Sequence, residues 1–122
     1  MTKWLITYSC KKDSVKWRFV EFGGKTGAES YGIVDMIAIR KDHRRGLTLR
    51  RGDRLEIVLI QVKGGTAGLP TSEDVDRLRK VKNHHRAKAV VLAEWKLART
   101  LALRRLVRRK WVPMANAAEV FG

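Results

Sequence analysis

The chain has 122 residues, of which 44% are hydrophobic, and a formal net charge of +15 from 27 Lys and Arg against 12 Asp and Glu. This length predicts one domain, residues 1–122, burying roughly two thirds of its unfolded surface, and the hydrophobic share argues against wholesale disorder. The single cysteine excludes a disulfide framework within the chain and a cysteine-based zinc site, and no apolar run reaches the ~20 residues of a membrane helix.

The opening residues 1–7 lack a long apolar region and a small-residue cleavage site. They predict no signal peptide, and the expected compartment is the cytoplasm. Short apolar and aromatic stretches over residues 3–10 and 15–22 read as strands, followed by a glycine turn over 23–27. Residues 31–40 are rich in Ile and Val and predict a strand. Residues 41–54 form a basic connection, and residues 55–63 make the strongest strand in the chain, broken by the glycines of 64–68. Thr71 and Asp74 then have capping-box spacing, and Val75, Leu78 and Val81 continue a helical period to about His84. A strand is expected over 87–95, a second helix over 97–109, and a short tail with Trp111 and Val112. The order predicts a mixed α/β domain with a β-α-β crossover in its later part.

Side chains alternate between the two faces of a strand. Ile33, Asp35, Ile37 and Ile39 therefore share one face, and so do Leu55, Ile57, Leu59, Gln61 and Lys63. An aspartate among isoleucines, and a glutamine and a lysine ending an apolar stripe, need partners if they are buried. Two readings satisfy them. One is a structural Asp35–Lys63 ion pair at a sheet edge. The other is a metal-dependent phosphodiesterase site. There Asp35, the amide oxygen of Gln61 and the backbone carbonyl of Val62 bind Mg²⁺ or Mn²⁺, and Lys63 orients the attacking water and offsets phosphate charge. Glu56 falls on the opposite face of its strand and reads as structural or solvent-paired.

The positive charge far exceeds the net charge of about 2–8 that solubility asks of a small domain. It points to a polyanionic partner, with nucleic acid first and an anionic membrane surface second. Arg44, Arg45, Arg50 and Arg51 lie in the connection between the two site strands. Arg104, Arg105, Arg108, Arg109 and Lys110 cluster on the predicted last helix, and no acidic residue stands between Trp95 and Glu119. Both groups are expected to contact nucleic acid. The Gly24-Lys25-Thr26 run lacks the earlier glycine of a phosphate-binding loop, where Phe19 stands. His84 and His85 suit a helix C-terminus better than a metal site, and His43 carries no signal. Cys10 reads as a buried thiol, and the four tryptophans as core or interface anchors.

Gly32-Ile33-Val34-Asp35-Met36-Ile37-Ala38, followed by Ile60-Gln61-Val62-Lys63-Gly64-Gly65, resembles the PD-(D/E)XK nuclease superfamily. The likeness spans roughly residues 28–96. It implies a restriction endonuclease-like fold, a mixed central sheet flanked by helices. It also implies a magnesium- or manganese-dependent DNA endonuclease similar to small Holliday-junction resolvase-like and virus-type replication-repair nuclease domains. Branched DNA and a homodimer are the implied substrate and assembly. Two features depart from the pattern. Gln61 stands where an acid is usual, as in Mrr-like nucleases, and no long N-terminal helix carries a glutamate. Glu21 or Glu29 would then complete the site. The alternatives are a catalytically silent nucleic-acid-binding module on the same fold, and an unrelated basic α/β protein.

Overall fold

The computed structural model describes residues 17–22, 33–42, 50, 53–63, 69–96 and 100–121. The strand expected over 3–10, Cys10, the glycine segments 23–27 and 64–68, and the site residues Glu29, Arg44, Arg45 and Arg51 lie outside them.

Among the described residues, six strands form one mixed sheet in chain order. They are β1 (Arg18–Glu21), β2 (Met36–Asp42), β3 (Arg54–Lys63), β4 (Ala89–Lys96), β5 (Thr100–Val107) and β6 (Lys110–Pro113). The main helix α1 (Ser72–His85) joins β3 to β4, and a four-residue helix α2 (Ala118–Phe121) ends the described chain. Only β3 and β4 are parallel; every other neighbouring pair is antiparallel. A parallel pair needs a crossover, and α1 is that crossover.

The α1 ends are set locally, as the sequence predicts. The Thr71 hydroxyl accepts from the Asp74 N–H at 3.2 Å, and the Asp74 carboxylate accepts from the Thr71 N–H at 3.1 Å. At the other end Arg86 takes a left-handed conformation (φ 52°), and Lys82, His84 and His85 occupy the last turn. Cations there complement the helix dipole. Thr71→Ala should cost about 1 kcal/mol of stability, read as a lower urea midpoint at unchanged slope.

The strand alternation makes two apolar layers. One face buries Met36, Ala38, Val58, Ile60, Val91 and Ala93 beneath Trp17, Val120 and Phe121. The other buries Leu59 and Val90 against Leu78 of α1. On the α2 face Glu56 pairs with Arg40 at 3.2 Å and with Lys88 at 3.5 Å. Arg40 also lies 4.3 Å over the Trp17 ring, and the Lys88 ammonium donates to the Val120 carbonyl at 2.9 Å. Glu56 is thus structural, as its face predicts.

The helix expected over 97–109 is instead the strand β5, paired to β4 and turning back into β6. Leu, Ala and Arg are good helix formers, which gives the segment its helical look. The open edge of β4 outweighs that preference, because pairing there satisfies a row of backbone donors and acceptors. Alternation then places Ala102, Arg104 and Leu106 on the α1 face and Leu103, Arg105 and Val107 on the other. The tail residues Trp111 and Val112 belong to β6. The 31–40 strand starts later than expected, at Met36, so Asp35 lies one residue ahead of it.

Candidate functional site

The site lies where β2 begins beside the end of β3. Pairing between them ends at Met36↔Ile60. Beyond it, β3 continues through Gln61, Val62 and Lys63 beside β4. The Asp35 N–H still donates to the Ile60 carbonyl at 3.1 Å, and the Asp35 carbonyl accepts from the Phe22 N–H at 3.0 Å. The backbone of Asp35 is therefore held on both sides.

Past that point Val62 has no β2 residue to pair with. The Asp35 carboxylate takes the vacant position: its Oδ2 accepts from the Val62 N–H at 2.7 Å. This is a short, charge-assisted bond. It occupies one carboxylate oxygen and fixes the other at the end of β3. In a strand, a residue's N–H and C=O point to the same side. The Val62 carbonyl thus also faces the side where β2 has ended. A carboxylate and a backbone carbonyl, both hard oxygen donors, thus face the same edge of β3.

Gln61 sits on the α1 face and is only 6% exposed. Its side-chain oxygen is buried with no hydrogen-bond partner. Leaving a buried acceptor unpaired costs about 1–3 kcal/mol, so the atom is poised for a donor or a cation. Lys63 follows on the same face, half-buried. Asp35 and Lys63 form no ion pair with each other. The structural pair that alternation allowed is not the arrangement adopted; a backbone amide holds Asp35 instead.

The register brings in a residue that the sequence reading leaves out. Glu94 of β4 is the Cα partner of Lys63. Its Oε2 lies 3.3 Å from the Arg104 Nε of β5, yet is buried and makes no hydrogen bond. Its signal in the sequence is Val90, Leu92 and Glu94, an apolar stripe ending in a charge like that of β3. Glu21, by contrast, pairs with Met36 and so belongs to the α2 face, opposite Gln61.

The donor set of Asp35, the Gln61 amide and the Val62 carbonyl consists of oxygens from few side chains. It fits a hard cation that keeps several waters, as Mg²⁺ does. Among the described residues, no three His, Cys, Asp or Glu side chains converge as a metal cluster. A neighbouring cleft of about 200 Å³ is lined by Phe22, Val34, Ile37, Ile57, Leu59 and Val81, with His85 at its margin. It is apolar and offers no oxygen ligand.

The arginines divide. Arg104 and Arg105 fall on opposite faces of β5, not together on one helix face. Arg109, in the β5–β6 turn, pairs with Asp76 of α1. Arg105 and Arg108 are exposed, as is Arg50, whose N–H donates to Asp53 at 2.9 Å. No helix among the described residues is long and apolar enough to cross a membrane. Compared with protein-family models and with curated proteins, the chain matches none.

Proposed function

We propose that this chain is a metal-dependent DNA endonuclease of PD-(D/E)XK type, with a restriction endonuclease-like core. The observation that carries this reading is the bond from the Val62 N–H to Asp35. It brings the aspartate of one strand to the Gln61-Val62-Lys63 end of the next. The order of β2, β3, α1 and β4 and the basic charge support the same reading.

Asp35, Gln61 and Val62 would hold Mg²⁺ or Mn²⁺ through a carboxylate, an amide and a backbone oxygen. Such an ion, when bound, would supply a more acidic water and a counter-charge for the leaving oxygen. The Val62 N–H holds the aspartate in one orientation, so its free oxygen faces the phosphate without further ordering. Lys63, on the α1 face at the end of β3, carries an ammonium unengaged by any described carboxylate. It orients the attacking water and balances charge building on the phosphate. The exposed Arg50, Arg105 and Arg108 lie toward the other end of the sheet and would contact DNA backbone away from the cut phosphate, without reading bases. Branched DNA and a homodimer that makes paired cuts belong to this proposal through the family resemblance.

The test is a panel of linear, single-stranded and four-way-junction DNA with Mg²⁺, Mn²⁺ or EDTA. The parent should cut only with metal. Asp35→Ala should lose at least about 100-fold in rate, some 2.7 kcal/mol of barrier, while keeping its circular dichroism spectrum. The neutral Gln61 favours one rival, a silent module that binds DNA with a steep salt dependence. Binding without cutting in every metal would decide for that rival.

A further inference from the structure

Gln61 leaves the proposed cation site one negative charge short, and the sheet supplies a charge nearby. Glu94 is on the α1 face, in register with Lys63 and one strand beyond Gln61. Its side chain is only 21% exposed, and its single described ion-pair partner is Arg104. That pair is poorly formed. At 3.3 Å the guanidinium neutralises the carboxylate, but Oε2 is buried and accepts no hydrogen bond. Gln61, one strand nearer to Asp35, has a second orphaned oxygen on the same face. These two buried acceptors without hydrogen-bond donors lie on one face beside Lys63, where a cation or its waters would satisfy them.

We propose that Glu94 is the second acidic group of the cation site, in place of the acid that Gln61 lacks. Arg104 is its counter-ion in the absence of metal. The inference rests on the cation-site reading above. The columns of Asp35 and Glu94 are two strand spacings apart, about 10 Å. Glu94 therefore acts mainly through the waters of a hydrated ion and by its charge. Mg²⁺ and Mn²⁺ sites commonly keep such waters. A bound divalent ion takes over the neutralising role of Arg104. The guanidinium is then free for a phosphate, which suits its planar fork. Metal and DNA backbone would thus bind cooperatively, through one arginine that changes partner.

The test reads Mn²⁺ binding without DNA, from loss of the free Mn²⁺ electron paramagnetic resonance signal. The proteins are the parent, Asp35→Asn, Glu94→Gln, Arg104→Gln and the double variant Glu94→Gln/Arg104→Gln, each checked by circular dichroism. Glu94→Gln should weaken Mn²⁺ binding about tenfold, because it removes a charge close to the ion. Arg104→Gln should tighten it severalfold, by removing the competing cation. The double variant should resemble Glu94→Gln. If Glu94→Gln fails to fold, Arg104→Gln decides alone: tighter binding upholds the proposal, and unchanged or weaker binding overturns it. Glu94→Gln that binds like the parent, while Asp35→Asn does not, would overturn the role of Glu94 and leave the cation site standing. A parent that binds no Mn²⁺ would remove both.

Discussion

Lys63→Ala should stop DNA cutting while leaving the protein folded and able to bind Mn²⁺. Lys63 is half-buried at the end of β3 and makes no ion pair with a described residue. Its removal strands no partner and opens no closed core, so stability should shift by no more than about 0.5 kcal/mol. Its ammonium matters only when a phosphate and a water are present. Losing such a group typically costs about 10²- to 10⁴-fold in rate. The measurement is single-turnover cutting beside urea unfolding. A variant that cuts like the parent would remove Lys63 from the chemistry. A variant that loses several kcal/mol of stability would make it structural after all.

The second large effect falls on the opposite face. Phe121→Ala should destabilise the protein by about 3–5 kcal/mol. Phe121 is fully buried, and its ring meets Trp17 edge-on with centroids 5.5 Å apart. Its backbone carbonyl also accepts from the Trp17 indole N–H at 2.8 Å. Truncation would leave a cavity over the α2 face of the sheet, next to Ala38 and Ala93, whose small side chains cannot fill it. Chemical unfolding measures the loss. A change below about 1 kcal/mol would mean that the C-terminal segment does not close this face.

The parts of this fold that are legible in the sequence are those fixed by short-range rules. The period of two along β3 puts Gln61 and Lys63 on one face, and the register with β4 agrees. The Thr71–Asp74 box sets the start of α1 because both partners lie within one turn. The bond from Val62 to Asp35 is not legible that way. It depends on β2 beginning one residue after Asp35, which pairing with β3 decides.

Residues 97–109 show the contrast most plainly. Their helical propensity is real, but the free edge of β4 is invisible locally. The β5–β6 turn is hidden as well. Arg108 adopts φ 59°, a conformation that hairpin turns usually assign to glycine or asparagine, so no turn residue marks the reversal. The strand moves Arg104 from a basic helix face to its place beside Glu94. Glu94 is marked locally only as a charge ending an apolar stripe; its link to Lys63, thirty-one positions earlier in the chain, comes from the parallel register.

The most direct test is to incubate the parent protein with four-way-junction and linear DNA in Mn²⁺, in Mg²⁺ and in EDTA, and to look for new strand ends. Cutting that requires the metal and is absent in Asp35→Ala is the predicted result. Tight DNA binding with intact strands under every metal would contradict it.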